Sequence, residues 1–161
     1  QHDVFKRIEN KTDPEQIKAR GAWSDNFTPE MRDMLVFAAK YYKANPPYFG
    51  FAADRILEDK NYMPTEKLYR KMVENKYVQR ALKNSNAAPK YEVGSMVTVR
   101  NSQAIRHHAT SRVRGKNAIV IEVEEQVNNA TKGARKVTIL PIGAASPIVT
   151  EERWLKPCRA K

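Results

Sequence analysis

Apolar and polar positions follow two different periods along this chain, and the change falls near residue 85. In the first half apolar residues recur every three or four positions. Thr28-Pro29-Glu30 offers an N-cap hydroxyl, a proline at the first helical position and an acid in the first turn. Met31, Met34, Leu35, Ala38 and Tyr41 or Tyr42 then follow at helical spacing. Asn45-Pro46-Pro47 must end that helix, because proline cannot continue it. A short helix is predicted over 51–58 with Ala52, Ala53, Ile56 and Leu57 inward. Pro64-Thr65-Glu66 opens a third, along which Leu68, Tyr69, Met72, Val73, Tyr77 and Ala81 form one broad stripe. Pro14 to Ala19 predicts a further turn or two.

Beyond Asn84-Ser85-Asn86-Ala87-Ala88-Pro89, which reads as a small polar linker, the period becomes two. Val93, Val97 and Val99 alternate, with Gly94 as a bend. Ala118 to Val123 and Lys136 to Leu140 form two more β-branched strands, joined through a hairpin connection at Asn128 to Gly133. Pro147 to Thr150 and Arg153-Trp154-Leu155 supply shorter closing pieces. Some five short strands in about 70 residues suit a small barrel, which closes to protect its edges. The predicted fold class is therefore α+β: a helical domain over 1–84, a linker over 85–90 and a β-barrel over 91–161.

Val93-Gly94-Ser95-Met96-Val97-Thr98-Val99, followed by Gly115-Lys116-Asn117-Ala118-Ile119-Val120-Ile121-Glu122-Val123, resembles the KOW module. That family builds SH3-like barrels in transcription-elongation factors and ribosomal proteins. The chain departs from it at Ala118, where glycine is usual, and in a longer loop from Asn101 to Arg114. Glu152-Arg153-Trp154-Leu155-Lys156-Pro157 is similar to the closing strand of SH3-like barrels in retroviral integrases and chromatin readers. The whole layout, together with a start that lacks an initiator methionine, resembles the MotB family, modifiers of transcription in T-even bacteriophages. The resemblance implies a phage protein in the bacterial cytoplasm, associated with the nucleoid, that binds DNA and alters transcription.

Charge sharpens the functional expectation. Lys and Arg number 29 against 18 acids, for a net +11. The excess is greater beyond residue 90, and from Val93 to Ile121 there are five bases and no acid. Arg100, Arg106, Arg112, Arg114 and Lys116, with His107 and His108, therefore make a loop set with nothing to neutralise it. Lys132, Arg135 and Lys136 flank the other connection. Brought together by a barrel, these side chains would form one cationic edge for phosphate, with hydroxyls of Ser102, Thr110 and Ser111 as neutral donors. Arginine's planar fork suits bidentate phosphate contact or entry into a narrow minor groove. The only aromatics of this half, Tyr91 and Trp154, lie at strand positions, so base stacking on single strands has little support. The expected partner is double-stranded DNA, held largely without sequence preference.

Other classes have less to draw on. His107-His108 lacks the further ligands that zinc needs, since Cys158 is the single thiol. Glu122, Glu124, Glu125, Glu151 and Glu152 have no histidine or nucleophile beside them, and no phosphate-cradling glycine loop is present. No enzyme activity and no cofactor are expected. With one cysteine, no secretory-type apolar start and no run of about 18 apolar residues, a cytosolic setting without membrane attachment is expected. The competing expectation is an adaptor that grips a host protein such as RNA polymerase, a nucleoid protein or a ribosomal component, or that binds RNA. In the helical half, Tyr48-Phe49-Gly50-Phe51 is a candidate partner patch. Lys67, Arg70, Lys71 and Lys76 are candidates for a second DNA contact.

Overall fold

The computed structural model describes residues 22–106 and 108–158, so the turn expected at 14–19 lies outside the described residues. The protein is an α+β chain with a five-stranded antiparallel sheet. It divides into two compact units between Glu74 and Asn75.

In the first unit a helical stretch over 22–26 precedes α1 (Pro29–Ala44), α2 (Gly50–Glu58) and α3 (Glu66–Val73). Thr28 starts α1 as its residue type requires: its Oγ1 accepts from Met31 N at 3.1 Å, with Pro29 in the first turn. Asn45 caps the other end, ahead of the two prolines. Leu35, Ala38, Ala39 and Tyr42 of α1 are buried, as are Ala53 and Ile56 of α2 and Met72 and Val73 of α3. Tyr42 Oη donates to Met72 O at 3.1 Å, tying α1 to the end of α3. Trp23, Phe27 and Tyr69 meet with ring centroids 5.4–5.6 Å apart, and Trp23 Nε1 donates to Pro64 O.

The long third helix expected from the apolar stripe is two helices. Asn75 has a non-helical backbone (φ −59°, ψ 132°), and its side chain accepts from Tyr77 N at 2.9 Å, so it caps a new helix, α4 (Lys76–Asn86). Short polar side chains compete for backbone donors in this way, and here that competition breaks the stripe. The supposed linker also differs. α4 runs through Ser85 to Asn86 and belongs to the second unit, so the change of unit comes ten residues before the change of period.

In that unit β1 (Met96–Val99), β2 (Asn117–Val123), β3 (Lys136–Pro141), β4 (Ile148–Glu151) and β5 (Leu155–Pro157) pair in the order β4-β3-β2-β1-β5. Val97, Val99, Ala118, Val120, Val137, Ile139 and Leu155 alternate inward and pack with Tyr91 and Ile105. Val93 does not join them. It is 65% exposed in the approach to β1, before a turn at Gly94 (φ 95°) whose N–H donates to Val120 O. A bulge between Val120 and Glu122 bends β2.

The expected closed barrel is not what the strand pairing gives: β4 and β5 remain two edges of an open ladder among the described residues. The reason is the 3-10 turn Glu152–Trp154 between them. Its backbone bonds on both sides, Glu152 N to Arg135 O and Arg153 N to Gly133 O on one, Arg100 N to Trp154 O on the other. The turn, not a strand pair, laces the two flanks. Among the described residues no helix is long and apolar enough to cross a membrane.

Candidate nucleic-acid interface

The connection between β1 and β2 is a folded element. Gly115 N donates to Val99 O and Val99 N to Lys116 O, which closes its base. Ile105 is buried, Val113 packs on the sheet core, and α5 (His108–Ser111) places Thr110 Oγ1 3.0 Å from Thr150 Oγ1 in the interior. Thr110 is therefore a buried tether and not a phosphate donor. Arg114 lies across the loop, donating from Nε to Ser111 O at 3.3 Å and from Nη1 to Ser102 O at 3.2 Å. Ser102 accepts again through Oγ, from Ala104 N.

On this frame Arg106, Arg112 and Lys116 are exposed, and Arg114 is half-buried. Arg100, also exposed, follows β1 and anchors its Nε on Leu155 O at 3.1 Å. His107 lies outside the described residues. His108 opens α5.

Lys136, of the second expected cluster, does not join the first. Lys116 precedes β2, while Lys136 opens β3, whose Val137 pairs with Val123 at the far end of β2. The two lysines thus flank opposite ends of that strand, about 20 Å apart along its length. Lys136 is also opposed by acid: it is in register with Glu151, and its N–H donates to Glu124 Oε2.

Arg135 is removed from the candidate set. It is only 4% exposed, and its guanidinium donates to the carbonyls of Glu124, Glu125, Asn84, Ser85 and Ala87 at 2.6–3.4 Å. Its Nε faces Glu152 at 3.8 Å. A guanidinium has five N–H donors in a fixed fork, and here they hold the end of α4 against the β2–β3 connection. Lys132 of this group is exposed, in the connection between β2 and β3.

The unit boundary uncovers cations that the period change hid. Residues 75–161 carry 16 Lys and Arg against 6 acids, net +10, while residues 1–74 carry 13 against 12, net +1. α4 holds three bases and no acid: Lys76, Arg80 and Lys83, all exposed. Arg80 and Lys83 line a groove of about 430 Å³ with Lys132, over small residues of the β2–β3 connection. The available signal was the acid-free run from Asn75 to Ala88. The helical set Lys67, Arg70, Lys71 and Lys76 is divided instead, its first three members falling in the other unit. Arg70 there pairs with Glu66 at 4.0 Å.

Tyr91, at the root of the sheet, is buried, and burial pushes its phenol pKa up, with Arg100 lowering it and Glu152 raising it. Trp154 carries the Arg153 guanidinium 4.4 Å from its ring centroid, so neither aromatic is a bare stacking platform. Among the described residues no group of three His, Cys, Asp or Glu side chains could hold a metal ion. No model of a known protein family matches the chain, and no curated protein matches it significantly in sequence.

Proposed function

We propose that the second unit is an SH3-like module of KOW type that binds the phosphate backbone of duplex DNA through the β1–β2 connection. The strand order β4-β3-β2-β1-β5, with a 3-10 turn before the last strand, supports the SH3-like assignment. The single observation that carries the DNA reading is the folded, acid-free connection itself, which holds Arg100, Arg106, Arg112, Arg114 and Lys116 on one tethered element. Pre-ordering the backbone that carries those side chains lowers the entropy cost of meeting a polyanion. Contact through phosphates carries no sequence information, so binding is expected on unrelated duplexes. Modulation of transcription, of the kind the MotB resemblance implies, follows as the role proposed for such a coat.

Five phosphate contacts from this connection contribute about −4.5 to the slope of log affinity on log salt. Substituting Arg106→Glu, Arg112→Glu and Lys116→Glu together is expected to abolish duplex binding while the circular dichroism spectrum stays native. Binding equal to the parent's would overturn the assignment.

A second reading has its own support. Met96, Ile121 and Val149 project from strands as exposed large apolar side chains, a feature of protein-contact surfaces. An adaptor for a host protein would bind purified duplex weakly even at low salt, yet recover one stoichiometric protein from nuclease-treated lysate.

A further inference from the structure

We infer that the DNA contact continues beyond the loop into a second backbone seat, the groove between the end of α4 and the β2–β3 connection. The inference rests on the duplex-binding reading and extends it to a surface that reading does not use. Arg80, Lys83 and Lys132 stand on the rim, and Ala88, Ala130 and Gly133 line the space between them. A sugar–phosphate strand has that same alternation, apolar deoxyribose between anionic phosphates, and small residues let it approach closely.

The end of a helix normally repels anions, because its last carbonyls carry the negative pole. Here the Arg135 guanidinium covers the carbonyls of Asn84, Ser85 and Ala87, so the groove beside them is positive. Among the described residues Glu152 is the only acid on its lining, and it faces Arg135 Nε and accepts from Lys90 N.

The groove is also joined to the loop. Gly133 O accepts from Arg153 N at 2.9 Å, and Trp154 O accepts from Arg100 N at 2.8 Å. Lys132, Arg153 and Arg100 therefore follow one another across three laced segments. Arg153 is held in that path by Trp154 under its guanidinium and by Glu151, 2.7 Å from its Nε. That continuity favours the backbone of one duplex over an acidic peptide, which would need the groove alone.

The test is a salt titration of the full chain on a 20-base-pair duplex, comparing the parent with an Arg80→Gln, Lys83→Gln, Lys132→Gln variant. All three side chains are exposed, and glutamine removes the charge while keeping an unbranched polar side chain. The variant is expected to lose about 2.7 from the salt slope, at 0.9 per phosphate contact. Should the triple variant unfold, Lys83→Gln and Lys132→Gln singly are each expected to lose about 0.9. In parallel, the Gly133 amide resonance should move when duplex is added to the parent. An unchanged slope and a still Gly133, with loop reversal still abolishing binding, would overturn the groove and leave the loop reading standing. A parent that binds no duplex at low salt would remove both. Movement of Gly133 with a decaglutamate peptide but not with duplex would overturn the inference in favour of an acidic peptide.

Discussion

Arg135 and Glu152 face each other inside the sheet unit, guanidinium Nε to carboxylate Oε2 at 3.8 Å, with side chains 4% and 16% exposed. The same carboxylate oxygen accepts from Lys90 N at 2.9 Å. One ion pair thus fixes the end of α4, the segment entering the sheet and the turn between β4 and β5. It is a structural joint built from a residue type that composition alone assigns to DNA.

Replacing Arg135 with methionine should accordingly damage the fold and not the interface. It leaves Glu152 half-paired and several interior carbonyls without a donor, a loss of about 3 kcal/mol. Urea unfolding followed by circular dichroism measures it, with faster amide exchange expected near Ala87. The salt slope of duplex binding should keep at least the loop's share of about 4.5, any loss being confined to the groove beside the uncovered α4 carbonyls. A reduced slope with unchanged stability would return Arg135 to the interface.

Gly133→Ala and Gly143→Ala make a matched pair. Both glycines have positive φ, 77° and 83°. A Cβ on Gly133 would lie 2.8 Å from Arg153 Cβ, whereas one on Gly143 meets nothing within 4 Å. The Gly143 change should cost about 1 kcal/mol from backbone strain alone. The Gly133 change should cost clearly more, about 2–3 kcal/mol with the clash added. Equal thermal melts for the two variants would show that the turn gives way freely.

Arg114 offers a way to separate ordering from charge. Arg114→Lys keeps the positive charge but loses the fork that reaches Ser102 O and Ser111 O. Duplex affinity should drop by about threefold to tenfold as the loop loosens, with little change in salt slope. Arg112→Lys, on an exposed side chain, should leave both nearly unaltered. The opposite ranking would make Arg112, not Arg114, the residue that shapes the loop.

The first unit should weaken in strong alkali. Burial, with a smaller contribution from Tyr41, pushes the Tyr42 phenol up to about 12, against 10 in an unfolded chain. Below pH 10 both states keep the proton, and the stabilisation is complete. Between pH 10 and 12 the unfolded phenol ionises while the folded one does not, so stability falls by up to about 1.4 kcal/mol per pH unit. Trp23 fluorescence in a Trp154→Phe background reports this unit. Tyr42→Phe should cost about 1 kcal/mol at neutral pH, through the lost bond to Met72 O, and flatten the alkaline decline.

Tyr91→Phe should behave in the other sense. The hydroxyl is buried with no hydrogen-bond partner among the described residues, so removing it relieves a desolvation cost. Stability equal to the parent's or higher by about 1 kcal/mol is expected in urea. A clear loss would mean that the oxygen makes a bond that holds the sheet.

What the sequence determined by itself is what lies within a few residues. Thr28 with Pro29 starts α1 because a cap needs only its own next three amides. Val97, Val99, Val120 and Ile139 turn inward because alternation is a property of any strand. The acid-free loop was equally legible, since a charge count needs no coordinates. Tertiary structure decided the rest. Arg112 and Arg135 are the same residue type in the same basic half, yet one is exposed and the other sits among carbonyls about 50 residues away along the chain. Asn75 and Asn84 are both polar breaks on paper. The first caps a helix, while the second donates to Asn129 O and Thr131 O and so brings α4 into the sheet unit. Burial and partnership depend on what folding places opposite a side chain, and no local window of residues contains that information.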